Sequence, residues 1–360
     1  MAAIVSAINA KLCLARRVEP AKLSADPTKV TFPAKRRLRR CAVATLLGSL
    51  ALVTLALPSP AATPQIEAIH MLIPGAAGGG WDRTARGTGQ ALTQSGLVRL
   101  IRYENMSGGG GGKGIAHLIE RSSPDMLLVN STPIVIRSLK QIFPQSFRDL
   151  TPIASVIGDY AVLAVRQQSA IEDLRTLVQT QTNDPRAVAF AGGSVTTGMD
   201  HLVAAMILRA AGADPRSVKY IPYDTGGKAM AGLLSGETQA LASGLSEVID
   251  LARQGWVRIL CIASTTRLVV AQDTPTCSEA GAPGAVFVNW RGFFAAPNIP
   301  PQRALALQNV IGAMYATPEW QEISRRNGWV DTFAPGEEFT ALLNAQEQVL
   351  QTLMQELGLL

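Results

Sequence analysis

Past residue 66 the chain repeats one unit: a short apolar run rich in β-branched residues, a glycine-rich junction, then a stretch with helical patterning. Strands are predicted over 68–74, 98–103, 126–130, 160–166, 187–191, 218–223, 238–243 and 257–264, with helices over 82–93, 171–180, 199–211, 228–235 and 246–254. Alternation of this kind argues for an α/β architecture with parallel sheets covered on both faces. The length, 360 residues, suits two such units rather than one.

After Ser264 the rhythm changes. A stretch punctuated by Pro275, Gly281, Pro283 and Gly284 precedes a strand-like run over 286–295, and the tail from Gln302 is helical. In the last helix, over 337–357, Phe339, Leu342, Leu343, Val349, Leu350, Leu353 and Met354 have a spacing that suits one packed face. A chain that builds one α/β unit, then a second, and ends in helices can return to cover the first, giving a bilobed plan with a cleft.

The N-terminus reads differently. Lys35-Arg36-Arg37-Leu38-Arg39-Arg40 precedes the apolar run 41–57, and Pro58-Ser59-Pro60-Ala61-Ala62 follows it. Basic, apolar, then small residues is the order of a secretory signal peptide, here about 35–62 within a leader of 1–62, with cleavage expected after Ala61 or Ala62 and a periplasmic destination. The leader also explains the formal charge of +6: it holds ten Lys/Arg against two acids, which leaves 23 basic and 25 acidic residues beyond Ala62. A body that close to neutral lacks the footprint of nucleic-acid binding. Cys261 and Cys277 are the cysteines left beyond the leader, and an oxidising compartment permits a disulfide between them without requiring one. Three isolated histidines, with no C-x-x-C or H-x-x-x-H, show no metal-site spacing, and no cofactor is expected.

The glycine junctions carry the functional signal. Pro74-Gly75-Ala76-Ala77-Gly78-Gly79-Gly80-Trp81-Asp82 joins the first strand to its helix. Glycines there let the backbone approach a ligand, and the free N–H groups at the helix start favour an anion. Asp82 would accept from a ligand hydroxyl or cap the helix; Trp81 would wall a pocket or sit in the core. A second junction, Gly192 to His201, offers the uncharged donors Ser194, Thr196 and Thr197 beside Gly193. A third runs from Ile221 through Tyr223 and Asp224 to Lys228, and a fourth is Asn130-Ser131-Thr132-Pro133. Loops at the carboxyl ends of parallel strands are where open α/β sheets bind ligands. Rival motifs fail: Gly112-Lys113 lacks the first glycine and the Ser/Thr of a phosphate loop, and the dinucleotide match at Gly109, Gly111 and Gly114 lies in a run that fits almost any glycine pattern. Ser194, Asp200 and His201 supply the residue types of a hydrolase triad, but no G-x-S-x-G elbow surrounds Ser194.

Seven motifs, in order, resemble the receptor component of tripartite tricarboxylate transporters, the Bug family of extracytoplasmic solute-binding proteins. They are Pro74 with Gly78–Asp82; Glu104-Asn105 with a glycine run; Ser131-Thr132-Pro133; Gly158-Asp159-Tyr160; Gly192-Gly193-Ser194 through His201; Ile221-Pro222-Tyr223 with Gly226-Gly227-Lys228-Ala229; and Asn289-Trp290-Arg291-Gly292. The resemblance spans residue 66 to the C-terminus. Gly75-Ala76-Ala77 and Met106-Ser107 depart from the usual pattern.

The resemblance implies a type II periplasmic binding protein fold, with 63–163 plus 288–360 as lobe 1 and 164–287 as lobe 2. It further implies a monomeric receptor, not an enzyme, that closes on a small tricarboxylate or dicarboxylate such as citrate and delivers it to a permease of one large and one small membrane subunit. The implied ligand-binding residues are Gly78, Gly79, Gly80, Trp81, Asp82, Ser131, Thr132, Gly193, Ser194, Thr196, Thr197, His201, Tyr223 and Asp224. Two other readings stay open: a secreted serine hydrolase using Ser194 and His201, and a carboxylate sensor feeding a signalling protein.

Overall fold

The computed structural model describes residues 66–360. The expected leader, with its basic cluster and cleavage site, lies outside the described residues. The chain opens with three parallel strands, β1 (Ile66–Ile73), β2 (Val98–Asn105) and β3 (Met126–Ser131), in the order β2-β1-β3. Helices α1 (Gly80–Gln94) and α2 (Gly112–Arg121) make the crossovers, and α3 (Pro133–Lys140) follows β3. Every residue of β3 is buried, as expected of a strand inside a sheet covered on both faces.

β4 (Thr151–Arg166) then carries the chain out of this sheet. Prediction finds only its second half, because Pro152 and Gly158 break the pattern of the first. The second sheet is built from β5 (Ala189–Gly192), β6 (Lys219–Pro222), β7 (Ala240–Gly244) and β8 (Val257–Ile262), with α4 (Leu174–Asn183), α5 (Met199–Ala210), α6 (Gly226–Ser235) and α7 (Leu245–Arg253) between them. In β8, Cys261 is disulfide-bonded to Cys277. β9 (Val288–Ala295) returns to the first sheet, and α8 (Pro301–Tyr315), α9 (Pro318–Asn327), β10 (Ala334–Pro335) and α10 (Gly336–Glu356) complete it. Phe339, Leu343, Leu350 and Met354 form the buried stripe of α10, which packs on β4 and α3.

The expectation of parallel sheets needs correcting where the sheets join. Thr151 to Tyr160 of β4 pair antiparallel with β9, while Ala161 to Arg166 pair antiparallel with β7 on one side and β8 on the other. One strand leaves each sheet as the other enters, so the two crossing strands must run in opposite directions. The result is a bilobed α/β fold whose lobes meet at β4 and β9.

A buried ion pair marks that crossing. Asp159 of β4 and Arg291 of β9 approach to 2.9 Å with both side chains almost fully excluded from water. Asp159 also accepts from the Ser246 N–H (3.1 Å) and Oγ–H (2.6 Å) at the start of α7. Removing one partner of such a pair strands a buried charge. Asp159→Ala is therefore expected to cost about 3–5 kcal/mol of stability, measured by urea unfolding; a loss below about 1 kcal/mol would show that the pair braces nothing.

Candidate functional site

Five helices begin at the wall of a cavity of about 420 Å3 that lies between the two lobes. Gly80 of α1 and Pro133 of α3 come from the first lobe, and Met199 of α5, Gly226 of α6 and the Gly244–Leu245 start of α7 from the second. Each brings the positive end of a helix dipole to the wall, although several of the first N–H groups are spent inside the protein: those of Asp200, Lys228 and Ser246 donate to Ser194 Oγ, Thr225 Oγ1 and Asp159 Oδ1, and Pro133 has none. The convergence follows from topology, because a helix after a parallel strand starts at that strand's carboxyl end.

Of the residues expected from sequence, Gly79, Gly80, Trp81, Ser131, Gly193, Ser194, Thr196, Thr197, Tyr223 and Asp224 border the cavity. Trp81 is a wall residue: its Nε1–H donates to Ser131 Oγ (2.9 Å), and the ring packs against Gly75 and Gly111. Ser194 Oγ accepts from the Asp200 N–H (3.0 Å) and lies 3.1 Å from the Tyr220 hydroxyl. Tyr223 borders the cavity, but its hydroxyl lies against Gly232 of α6. Asp224 is paired with Lys228 at 2.6 Å.

Gly78, Asp82, Thr132 and His201 do not border it. Asp82 accepts from the Gly78 N–H (3.0 Å), Arg86 Nε (2.9 Å) and Asn105 Nδ2 (3.0 Å). Burial opposes its ionisation, but these bonds outweigh it and hold the carboxyl below the usual range. Its work is to fix the glycine loop, in which Gly78 takes a φ of +85°. The buried Thr132 gives its N–H to Asn289 Oδ1 (3.2 Å) across the crossing.

His201 accepts the Thr197 N–H at Nδ1 (3.0 Å) and stacks on Tyr220 with ring centroids 4.9 Å apart. Burial, and then nearby Lys140, push its pKa down, so the imidazole stays a neutral acceptor. Thr197 has a φ of +59°, an unfavourable conformation for a β-branched residue, and the His201 bond helps to hold it there. No hydrogen bond joins Ser194 to His201 among the described residues; Ser194 Oγ and His201 Nδ1 are engaged with the Asp200 and Thr197 N–H groups.

The sequence reading passed over Arg137, Lys140 and Glu247, which also border the cavity, named Asn289 only within a motif, and considered Asp200 only as a triad member. Glu247 follows the junction Ser243-Gly244, another strand-to-helix glycine turn whose signal resembles the four that were singled out. Its Oε2 accepts from Ser243 Oγ (2.6 Å), and a side chain at Gly80 or Gly226 would collide with its carboxyl group. Asp200 is buried, and burial followed by the nearby Glu247 pushes its pKa up to about 7.

The model of the tripartite tricarboxylate transporter family receptor matches residues 84–359, which span both lobes and the cavity between them. The chain belongs to this family. Among curated relatives, BugT of Bordetella pertussis is 28% identical to this receptor over 269 residues, 73% of this chain and 80% of BugT. MatC of Rhodopseudomonas palustris, a structure with bound malate, superposes on the receptor with a TM-score of 0.67 at 20% identity, covering 81% of this chain and 98% of MatC. A second Rhodopseudomonas palustris protein, with adipate, gives a TM-score of 0.73 at 18% identity over 81% of the receptor and 97% of its own chain. The type II periplasmic binding protein fold is thus shared.

Two predictions follow from the receptor's cavity wall. A Cβ on Gly193 would stand 2.6 Å from the Thr225 carbonyl carbon, so two backbones meet where no side chain fits. Gly193→Ala is expected to cost about 1–3 kcal/mol in urea unfolding; an unchanged midpoint would contradict that packing. Because the Asp200 pKa is raised above its unfolded value, its protonation contributes stability that is present below about pH 4 and lost as pH rises through about 7. The stability of wild type relative to Asp200→Asn should therefore fall across that window, followed by thermal melting at successive pH values. A flat or rising difference would mean that Asp200 stays ionised.

Proposed function

We propose that this receptor captures a small carboxylate in the cavity between its lobes and hands it to a membrane permease. The observation that carries the reading is the meeting of five helix N-termini on one cavity between the lobes, an arrangement whose dipoles favour an anion. The loops 78–82 and 193–197 would hold the carboxylate, largely through backbone N–H groups and the hydroxyls of Ser194, Thr196 and Thr197. Backbone donors suit this task because they are already oriented and little entropy is lost in ordering them. Lobe 1 comprises 63–163 and 288–360, lobe 2 comprises 164–287, and the ligand shifts the population toward the closed form by touching both. The malate and adipate of the two Rhodopseudomonas palustris structures support a ligand of that size.

Export through a cleaved leader places the receptor in the periplasm as a monomer, where its partners are one large and one small permease subunit. Binding is reversible and releases the ligand chemically unchanged. Neighbouring genes for two such membrane proteins would distinguish this role from that of a sensor feeding a signalling protein.

Calorimetric titration of the receptor with mono-, di- and tricarboxylates tests the reading. One acid is expected to bind saturably, and Gly79→Val, which crowds the loop toward Thr225, should weaken it at least about tenfold, or about 1.4 kcal/mol. Absence of binding by every acid, after any co-purified ligand is stripped by unfolding and refolding, would overturn it.

A further inference from the structure

The lobes touch away from the β4–β9 crossing as well. Lys140 Nζ, at the end of α3, donates to Thr197 Oγ1 in the loop that leads into α5, and Val195 of the same loop lies against Gly110. The Thr197 hydroxyl gives its own proton to the Thr196 carbonyl (2.6 Å), which leaves the oxygen to accept from the ammonium group. Lys140 has no carboxylate within ion-pair distance among the described residues, so a neutral hydroxyl is what ties its charge to the second lobe.

That hydroxyl is positioned from behind. Thr197 sits at a φ of +59°, which a β-branched residue keeps only when its surroundings hold it. Its N–H donates to His201 Nδ1 (3.0 Å) in the first turn of α5, and the imidazole is fixed in turn by stacking on Tyr220. His201, Thr197 and Lys140 therefore form one chain of contacts from the second lobe to the first. A neutral imidazole accepts at Nδ1, whereas an imidazolium carries a proton on both ring nitrogens and accepts at neither. One proton on His201 would thus remove the bond that holds Thr197 and set a second positive charge near Lys140.

We propose that Lys140 and Thr197 form a latch that keeps the lobes closed, and that His201 is the positioning residue that arms it, so that protonating His201 releases the latch. The proposal rests on the two-lobed receptor reading and adds a control to it. The groups that face His201 are Lys140 from α3 and Tyr220 from β6, with Asp200 beside it on α5. Burial pushes the Tyr220 hydroxyl up, so that ring stays neutral. Asp200, raised to about 7, is already largely protonated where His201 titrates and offers it no compensating charge. Burial, and then Lys140, lower the His201 pKa, so the folded protein favours the neutral, armed form. The contribution of the latch is complete above the ordinary imidazole value of 6.5 and is lost as pH falls through the lowered one.

The test follows lobe separation in the receptor, stripped of co-purified ligand, by small-angle X-ray scattering at about pH 7.5 and about pH 5.5. Wild type is expected to expand at the lower pH. His201→Asn, which keeps an acceptor near the Nδ1 position but does not titrate, should not. Lys140→Met, which removes the latch from the first lobe, should be expanded at both pH values, so the test stands even where the histidine variant fails to fold. Calorimetric titration with malate, adipate and citrate gives a second readout. Between the two pH values, affinity for an acid that binds should fall about threefold or more further in wild type than in His201→Asn. That comparison cancels the titration of the acid and of Asp200, which both proteins share. No expansion of wild type, or an equal response of wild type and His201→Asn in either measurement, overturns the latch and leaves the receptor reading standing. Binding of no acid by any of the proteins overturns the receptor reading, and the scattering alone then decides the latch.

Discussion

The Asp159–Arg291 pair is the point on which the two-lobed arrangement depends. Asp159 sits on the strand that leaves the first sheet and Arg291 on the strand that returns, so the pair holds the two crossings side by side. Each partner then reaches into a different lobe. Asp159 binds the N-terminus of α7 through Ser246, while Arg291 lies over Gly80 and contacts Thr84 Oγ1 at the start of α1 (3.5 Å). A buried pair is not an efficient source of stability, since desolvation of two charges offsets most of their attraction. Its use here is geometric: it sets where two helices that border the cavity begin.

The same demand for close approach explains the glycines that matter. Gly80 leaves room for the Arg291 guanidinium and the Glu247 carboxyl, and Gly193 lets one loop touch the backbone of another. Behind them, polar residues do the fixing. Asp82 ties its loop through Gly78, Arg86 and Asn105, and His201 ties its own through Thr197 and Tyr220. Preorganised N–H groups lose little entropy when a ligand arrives, which makes them suitable for a receptor that must both hold and release.

Much of this was legible before any coordinates. The alternation of strands and helices, the strand-to-helix glycine junctions and the one-sided C-terminal helix all express local periodicity, which a sequence carries residue by residue. The junction residues were found because glycine at a strand-to-helix turn has a local conformational reason. Asp82 and His201 were recognised as important but assigned to the ligand; a polar side chain that braces a loop and one that touches a ligand leave the same mark in a sequence.

What the sequence determined by itself is therefore the class of fold, the family and the loops that border the cavity. Only the tertiary structure decided the antiparallel crossing of β4 and β9, the partner that Asp159 finds 132 positions later in Arg291, and the placing of Arg137, Lys140 and Glu247 on the cavity wall. The physical reason is range. Backbone preference and periodicity act within a few residues, whereas counter-ions and cavities are made by segments far apart in the chain, and whether a charge is neutralised depends on everything that packs around it.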